Sequence, residues 1–561
     1  MDTRRTILWM IFSFSLLFLW NNWQVHNGKP SLFGGTPPAT QAEAANEGVS
    51  PQPQPGADGV PIPQEVTAPA PSAVPSTTAA PVQTQAEPVV VTTDVVRLTF
   101  DPVGARVVKA ELLKYGAVDD ANQPVVLLDS RPGLTYVAET GTVGQQGAAF
   151  PTHRTPFQVT STQRELTGDT LEVAFEATSG GVRVVKTYTL HRGRYDIGVR
   201  HDVTNVGDAP VAPSVYLQLT RDGSKPAGES SFYSTFTGPA VYSEADKFQK
   251  ISFADIDRNR ATFTTGANNG WIAMVQHYFV SAWVPQEGTQ RTNGVVSLGN
   301  NLYAVRTIES MGTIAPQESR ASDAQLWVGP QDQKALEQVA PGLGLVVDYG
   351  WLTVIAKPLF AIMTWLFSMI GNWGWTIVAL TVLIKLVFFP LSAASYRSMA
   401  KMKQVAPRLQ ALKERFGDDK QKLNAAMMEM YRTEKINPLG GCLPILVQIP
   451  VFISLYWVLL ASVEMRGAPW ILWIQDLSVR DPWFILPAVM MATMFLQIKL
   501  NPTPPDPLQA KVMMAMPLIF GGMMFFFPSG LVLYWVVNNI LSIGQQWYIT
   551  RKIANAPAKA A

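Results

Sequence analysis

Apolar and polar residues follow two different rhythms along this chain. From about Val89 to Gly329 the period is two: VVVTTDVVRLTF, VRVVKTYTL, YDIGVRHDVTN and SVYLQLT set β-branched and aromatic residues at alternate positions, with Gly, Asn and Asp between the runs. That pattern predicts half-buried strands joined by turns. Many such strands without long helices between them predict an all-β sandwich over residues 89–340, with a short helix near Asp332 to Val339.

Beyond residue 349 the alternation gives way to nearly continuous apolar sequence. Runs at 371–391, 442–463, 483–500, 512–527 and 531–548 are each about long enough to cross a hydrocarbon core of roughly 30 Å. Residues 349–370 are apolar too, but they contain Lys357-Pro358 and another run follows at once. They read better as an amphipathic helix at the membrane interface than as a span. Pro528-Ser529-Gly530 leaves room only for a tight turn between the last two helices. At the N-terminus, Arg4 and Arg5 precede the apolar run Ile7 to Trp20, and Trp23 follows. This is the layout of a signal sequence, without a convincing cleavage site and with tryptophans placed as interfacial anchors. We read 1–27 as an uncleaved anchor, a cleaved signal peptide being the alternative. Residues 28–88, as in PQPQPGADGVPIPQ, are rich in Pro, Ala, Gln and Thr and bury too little apolar surface to order themselves.

Charge sets the orientation. Segment 392–438 carries ten Lys and Arg between Arg397 and Lys435, whereas Glu464 to Pro482 carries only Arg466 and Arg480 against three acids. The positive-inside rule places the first segment, and the tail 549–561 with Arg551 and Lys552, in the cytoplasm. With the N-terminus also inside, the β domain is exported. The fold class expected is a membrane α-helical bundle, an N-terminal anchor plus a five-helix core, joined to a large all-β sandwich. Across all 561 residues the net charge is only +2, which gives no argument for a nucleic-acid partner. The single cysteine, Cys442, sits in an apolar run and reads as a small core hydrophobe. The exported domain therefore has no disulfide. His153, His191, His201 and His277 are scattered without metal-ligand spacing and read as structural.

Chemistry concentrates at Lys385, about thirteen residues into an apolar run of about nineteen. A cation at mid-helix costs roughly 2.5–3.5 kcal/mol on insertion scales and normally faces a bundle interior or water. The alternative is snorkelling, since the cytoplasmic end is roughly 10 Å away. Thr376 and Thr381 share its helix, and Thr381 its face; Gln448, Gln497, Asn538, Gln545 and Gln546 lie in or near other spans. None is an acid, so the lysine is better suited to an anion arriving with a substrate than to structural pairing. In the basic segment, Met402, Val405, Leu409, Leu412 and Phe416 form a helical stripe. Gly417-Asp418-Asp419 breaks and recaps the chain, and Leu423, Met427, Met430 and Tyr431 begin a second stripe. The result is a helical hairpin with Pro407 as a kink. Its methionines either offer an adaptable binding face or simply pack the two helices together. No phosphate-binding loop, HExxH motif or nucleophile elbow occurs, and Ser392 or Ser395 is too far along the helix from Lys385 to form a dyad. Neither an enzymatic activity nor a metal or cofactor is expected.

The segments GDDKQKLNAAMMEMYRTEKINPLGGC, NPLGGCLPILVQIPVFISLYWVL and FPSGLVLYWVVNNILSIGQQ resemble the YidC membrane protein insertases of Gram-negative bacteria. So do GWIAMVQHYFVSAWVP in the β region and the start RRTILWM. The likeness covers nearly everything but the Pro-rich tether. It implies a six-span inner-membrane protein with a periplasmic β-sandwich, which inserts and folds other membrane proteins alone or with the Sec translocon (SecYEG, SecDF). It implies a hydrophilic groove open to cytoplasm and lipid, with a basic residue that attracts acidic groups of the substrate. TVLIKLVFFPLS puts Lys385 at that position, where the family in these bacteria usually has arginine; lysine keeps the charge and loses the bidentate fork. By the same likeness Thr381, Gln448 and Asn538 belong to the groove, and Phe452, Met490, Tyr534 and Trp535 line the path of the substrate's apolar helix. The hairpin, with Met402, Leu409, Met427 and Met430, corresponds to a cytoplasmic element needed for activity. Nascent membrane proteins, membrane lipids, the ribosome and the signal-recognition-particle receptor are the remaining partners implied. Two other readings of the residues stand beside this one: a polytopic secondary transporter, and a membrane-anchored periplasmic binding or sensor domain. The absence of internal repeats and of midplane acids speaks against the first.

Overall fold

Alternation of apolar residues does produce strands, and the strands stack as two sheets. The computed structural model describes residues 87–118, 120, 122–144, 148–226, 235–416, 419–434, 443–500 and 507–554. The expected anchor, the tether up to residue 86, Cys442 and Gly417-Asp418 lie outside the described residues. The described chain divides into two compact units at Val347 and Asp348.

In the first unit the described strands form two nine-stranded sheets, and every strand pair is antiparallel. One sheet runs from the edge strand Val89–Thr92 to Gly266–Ala267, with Leu134–Val143, Ser214–Asp222 and Leu302–Ser310 adjacent at its centre. The other runs from Lys247–Lys250 to Gln158–Val159, with Phe279–Pro285, Ser319–Pro330, Asp196–Asn205 and Val182–His191 in sequence across it. The helix anticipated near Asp332 spans Gln333–Val339, and the Asp332 carboxylate caps it by accepting from the Lys334 and Ala335 amides.

Between the sheets lies an apolar core tied by polar bonds. Phe100, Phe175 and Tyr188 pack with ring centroids 4.8–6.0 Å apart. The buried Lys186 ammonium, from the second sheet, donates to the Gly104 and Thr140 carbonyls at 2.7 Å each, and Tyr188 donates to the Ala105 carbonyl at 2.7 Å. Trp283 Nε1 donates to the Gln218 carbonyl at 3.0 Å. His201 Nε2 meets Thr140 Oγ1 at 2.8 Å, and His153 Nδ1 meets the Tyr216 hydroxyl at 2.6 Å. Both histidines are buried and serve as internal ties, as expected of scattered structural histidines. Burial, aided by the Lys186 charge, pushes the His201 pKa down to about 3.

In the second unit, helix α1 (Thr353–Ile370) ends at Gly371, whose φ of 71° and amide bond to the Phe367 carbonyl are those of a left-handed C-cap. It is long and apolar enough, by length and composition, to cross a membrane. Ala356, Leu359 and Met363 are buried, yet the opposite side exposes Val354, Ile362, Trp365, Met369 and Ile370. The polar residues of α1, Thr353, Lys357, Thr364 and Ser368, stand at steps of four and seven and so share one narrow strip along the helix.

Asn372 caps helix α2 (Trp373–Val387) by accepting from the Trp375 amide at 3.0 Å, and its own amide group donates to the Pro469 carbonyl at 3.1 Å. Gly374 lies so close to Trp470 that a Cβ would sit 2.2 Å from the indole. The helix expected to run on to Leu391 ends at Val387, and helix α3 (Phe389–Phe416) leaves at 66°. Pro390 explains the break: it has no amide to donate to the Leu386 carbonyl, and its ring collides with that oxygen in a straight helix. Pro407, expected to kink the hairpin, lies inside the unbroken α3. Asp419 caps α4 (Lys420–Thr433), and Arg408 Nη1 meets Glu434 Oε1 at 2.7 Å to close the hairpin.

Then follow α5 (Leu443–Ala461), α6 (Ile485–Leu500), α7 (Pro507–Met523) and α8 (Ser529–Ala554). Helix α8 is central, packing on α2, α3, α5 and α6. The turn into it is pinned by the Ser529 and Gly530 amides, which donate to the Val479 and Leu477 carbonyls at 2.7 and 2.9 Å.

Two outcomes follow. The unfolded chain takes a proton on His201 below pH 6.5, whereas the folded domain refuses it until about pH 3. Stability contributed at neutral pH is therefore lost as pH falls through that window. Urea unfolding of the β domain should show wild type losing about 1.4 kcal/mol per pH unit more than His201→Gln between pH 6 and 4. In the helical unit, Gly374→Leu should destabilise by about 1–3 kcal/mol through overpacking against Trp470, seen as a lower thermal midpoint in detergent.

Candidate functional site

Lys385 occupies the last turn of α2, and its side chain is only 7% exposed. Its Nζ donates to Ser542 Oγ of α8 at 2.7 Å. The ammonium thus turns toward α8. Among the described residues no carboxylate pairs with it.

Tyr534, Asn538 and Ser542 recur every four residues and so share one face of α8. Ser542 Oγ donates to the Asn538 carbonyl at 2.7 Å, and Asn538 Oδ1 accepts from Gln448 Nε2 of α5 at 3.0 Å. The Tyr534 hydroxyl lies close to the Gln448 side chain, and the Tyr396 hydroxyl of α3 lies close to Ser542. The hydrogen bonds make a polar ladder that begins at a cation and joins α2, α5 and α8. Tyr396 comes near it because α3 turns away at Phe388.

An aromatic wall stands beside the ladder. Phe452 of α5 lies 5.7 Å from the Tyr534 ring and 4.4 Å from Trp535, and Phe520 of α7 lies 5.5 Å from Trp535. Phe452 and Trp535 are half-buried, but Tyr534 is 1% exposed and Met490 is fully buried. The four residues assigned to a substrate path therefore differ. Phe452 and Trp535 present surface, Tyr534 lies behind Phe452, and Met490 is buried on α6. Thr381 is buried, and its hydroxyl donates to the Ile377 carbonyl at 2.7 Å, as Thr376 does to the Asn372 carbonyl at 2.9 Å. These threonines satisfy their own helix.

The structure unites Lys385, Gln448, Asn538 and Tyr534 and adds two residues that the sequence reading passed over, Ser542 and Tyr396. Ser542 carried a signal in its spacing from Tyr534 and Asn538. Tyr396 carried none, because its contribution depends on the bend. On the far side of α8, Asn539 Nδ2 donates to Thr493 Oγ1 of α6 at 3.2 Å.

In the basic hairpin, Val405 and Leu409 are buried, and Met402, Leu412, Phe416, Leu423, Met427, Met430 and Tyr431 are half-buried. Helices α3 and α4 pack on each other, and Met402, Met427 and Met430 are each partly covered. Met428, at 66% exposure, is the methionine turned outward on α4.

The model of the YidC periplasmic domain matches residues 88–362, and that of the 60Kd inner membrane protein matches residues 365–556. The membrane protein insertase YidC of Bordetella avium (strain 197N) is 70% identical over 559 residues, covering 100% of both chains. That of Bordetella pertussis (strain Tohama I) is 68% identical over 570 residues, again covering both completely. That of Cupriavidus taiwanensis is 54% identical, covering 100% of this chain and 99% of the relative. A crystal structure of active YidC insertase with the first transmembrane domain resolved aligns over 82% of this chain and 92% of its own, at 18% identity and a TM-score of 0.38. With family models matching both units and relatives identical at more than half of all positions from end to end, this chain belongs to the YidC family of membrane protein insertases, inner-membrane proteins with a periplasmic β domain.

Proposed function

We propose that Lys385, with Gln448 and Asn538 behind it, forms the polar wall of a hydrophilic groove through which this insertase passes substrate segments into lipid. The observation that carries this reading is an ammonium held in an apolar bundle with no carboxylate for it among the described residues. A fixed structural pair would supply the opposite charge, whereas a substrate's acidic tail brings its own. The nascent chain's polar tail crosses hydrocarbon at lower cost where polar protein surface and a thinned bilayer shorten the path. Its apolar helix then leaves along Phe452 and Trp535 into lipid, a downhill transfer that needs no nucleotide. Nothing in this scheme makes or breaks a covalent bond.

The same reading sets the topology. The N- and C-termini and the hairpin lie in the cytoplasm, six helices span the membrane, and α1 lies at the outer interface. The hairpin's ten basic residues between Arg397 and Lys435 suit anionic lipid headgroups. With the exposed Met428, they also offer a surface to the ribosome and to the signal-recognition-particle receptor. The Sec translocon is the partner where the insertase does not act alone.

Substrates whose exported tails carry acidic residues should insert roughly tenfold more slowly with Lys385→Ala, which corresponds to about 1.4 kcal/mol at the barrier. Lys385→Glu should be slower still, and neutral tails should discriminate far less among the three forms. Protease-protection assays in reconstituted vesicles give the rates; equal insertion by wild type, alanine and glutamate forms would remove the electrostatic role. A second test concerns the β domain. Cells that depend on this protein should survive deletion of most of the sandwich, whereas loss of growth would move function to that domain.

A further inference from the structure

Resting on the reading that Lys385 receives substrate charge, we propose that Ser542 is a positioning residue that aims the lysine ammonium at the substrate's carboxylates. Three features carry this. First, a hydroxyl has one proton to give and two lone pairs to receive. Ser542 gives its proton to the Asn538 carbonyl at 2.7 Å and accepts from Lys385 Nζ at 2.7 Å. An oxygen tied back to its own helix in this way is a fixed acceptor presented by α8. Second, an ammonium has three donors, and among the described residues Ser542 takes one of Lys385's. The other two remain for carboxylate oxygens. Ser542 therefore does not compete with the substrate; it restricts the directions in which the lysine's remaining protons point. Third, lysine is a flexible four-carbon stem with a point charge, and without a fixed acceptor its ammonium samples many rotamers. Immobilising such a side chain on association costs binding energy, so holding it in advance converts directly into discrimination.

The rung has a chemical logic in apolar surroundings. A carboxylate in place of Ser542 would neutralise Lys385 permanently and leave nothing for the substrate, and an alanine would leave the ammonium unheld. A neutral hydroxyl orients the charge without cancelling it.

The test uses the full-length protein in vesicles and a substrate series with zero, one or two acidic residues in the translocated tail. The readout is the ratio of insertion rates for acidic over neutral tails. Ser542→Ala should lower that ratio roughly three- to tenfold, and Ser542→Thr, which keeps the hydroxyl, should restore it. Because Ser542 acts through the lysine, Lys385→Ala/Ser542→Ala should match Lys385→Ala alone. Equal slowing of all tails by Ser542→Ala, without rescue by threonine, would show a structural role and overturn the proposal, as would an unchanged ratio. Should Lys385→Ala itself leave the ratio intact, the electrostatic reading fails first. Should Lys385→Ala abolish the ratio while Ser542→Ala preserves it, only the role of Ser542 fails.

Discussion

A positive charge buried among apolar helices must be solvated by something, and the arrangement of the helical unit answers that demand. Desolvating an ammonium is expensive, and pairing it with a carboxylate would remove its use. Here a chain of neutral dipoles leads away from Lys385 through Ser542 and Asn538 to Gln448. Each member bonds the next, so no single helix bears the cost. That sharing requires α8 to lie within reach of α2 and α5, which is the packing observed. The central place of α8 and the presence of a cation are thus two aspects of one constraint.

The β domain meets a related difficulty with the same means. Its interior holds Lys186, His201 and His153, each bonded across or within the sheets. Strand Leu134–Val143 is buried on both faces over most of its length, including Glu139, Thr140 and Thr142. Polar residues inside a sandwich make its two sheets choose one registry, since each buried donor must find its acceptor.

How much of this was legible in the sequence varies by residue. Strands announced themselves because one face of each meets the core, as at Val182–His191, where burial alternates. Sheet order did not, because the adjacency of Leu134–Val143, Ser214–Asp222 and Leu302–Ser310 joins segments far apart in the chain, which local pattern cannot encode. Lys385 stood out since hydropathy registers any cation. Ser542 stayed hidden because a serine in a membrane helix ordinarily bonds the carbonyl four residues back, and this one does so as well as accepting from Lys385. The end of α2 at Val387 was written in Phe389-Pro390, but apolar length obscured it: a hydropathy run counts proline's carbon and ignores its missing amide.

The corner at Phe388 also gives the hairpin mechanical leverage. Helix α3 is 28 residues long, hence about 42 Å from end to end. Rotating it by ten degrees about that corner would carry Phe416 sideways by about 7 Å at helical rise, while Tyr396, about two turns from the pivot, would travel about 2 Å. A wide excursion of the hairpin tip and a small adjustment beside the cation are thus the long and short arms of one lever.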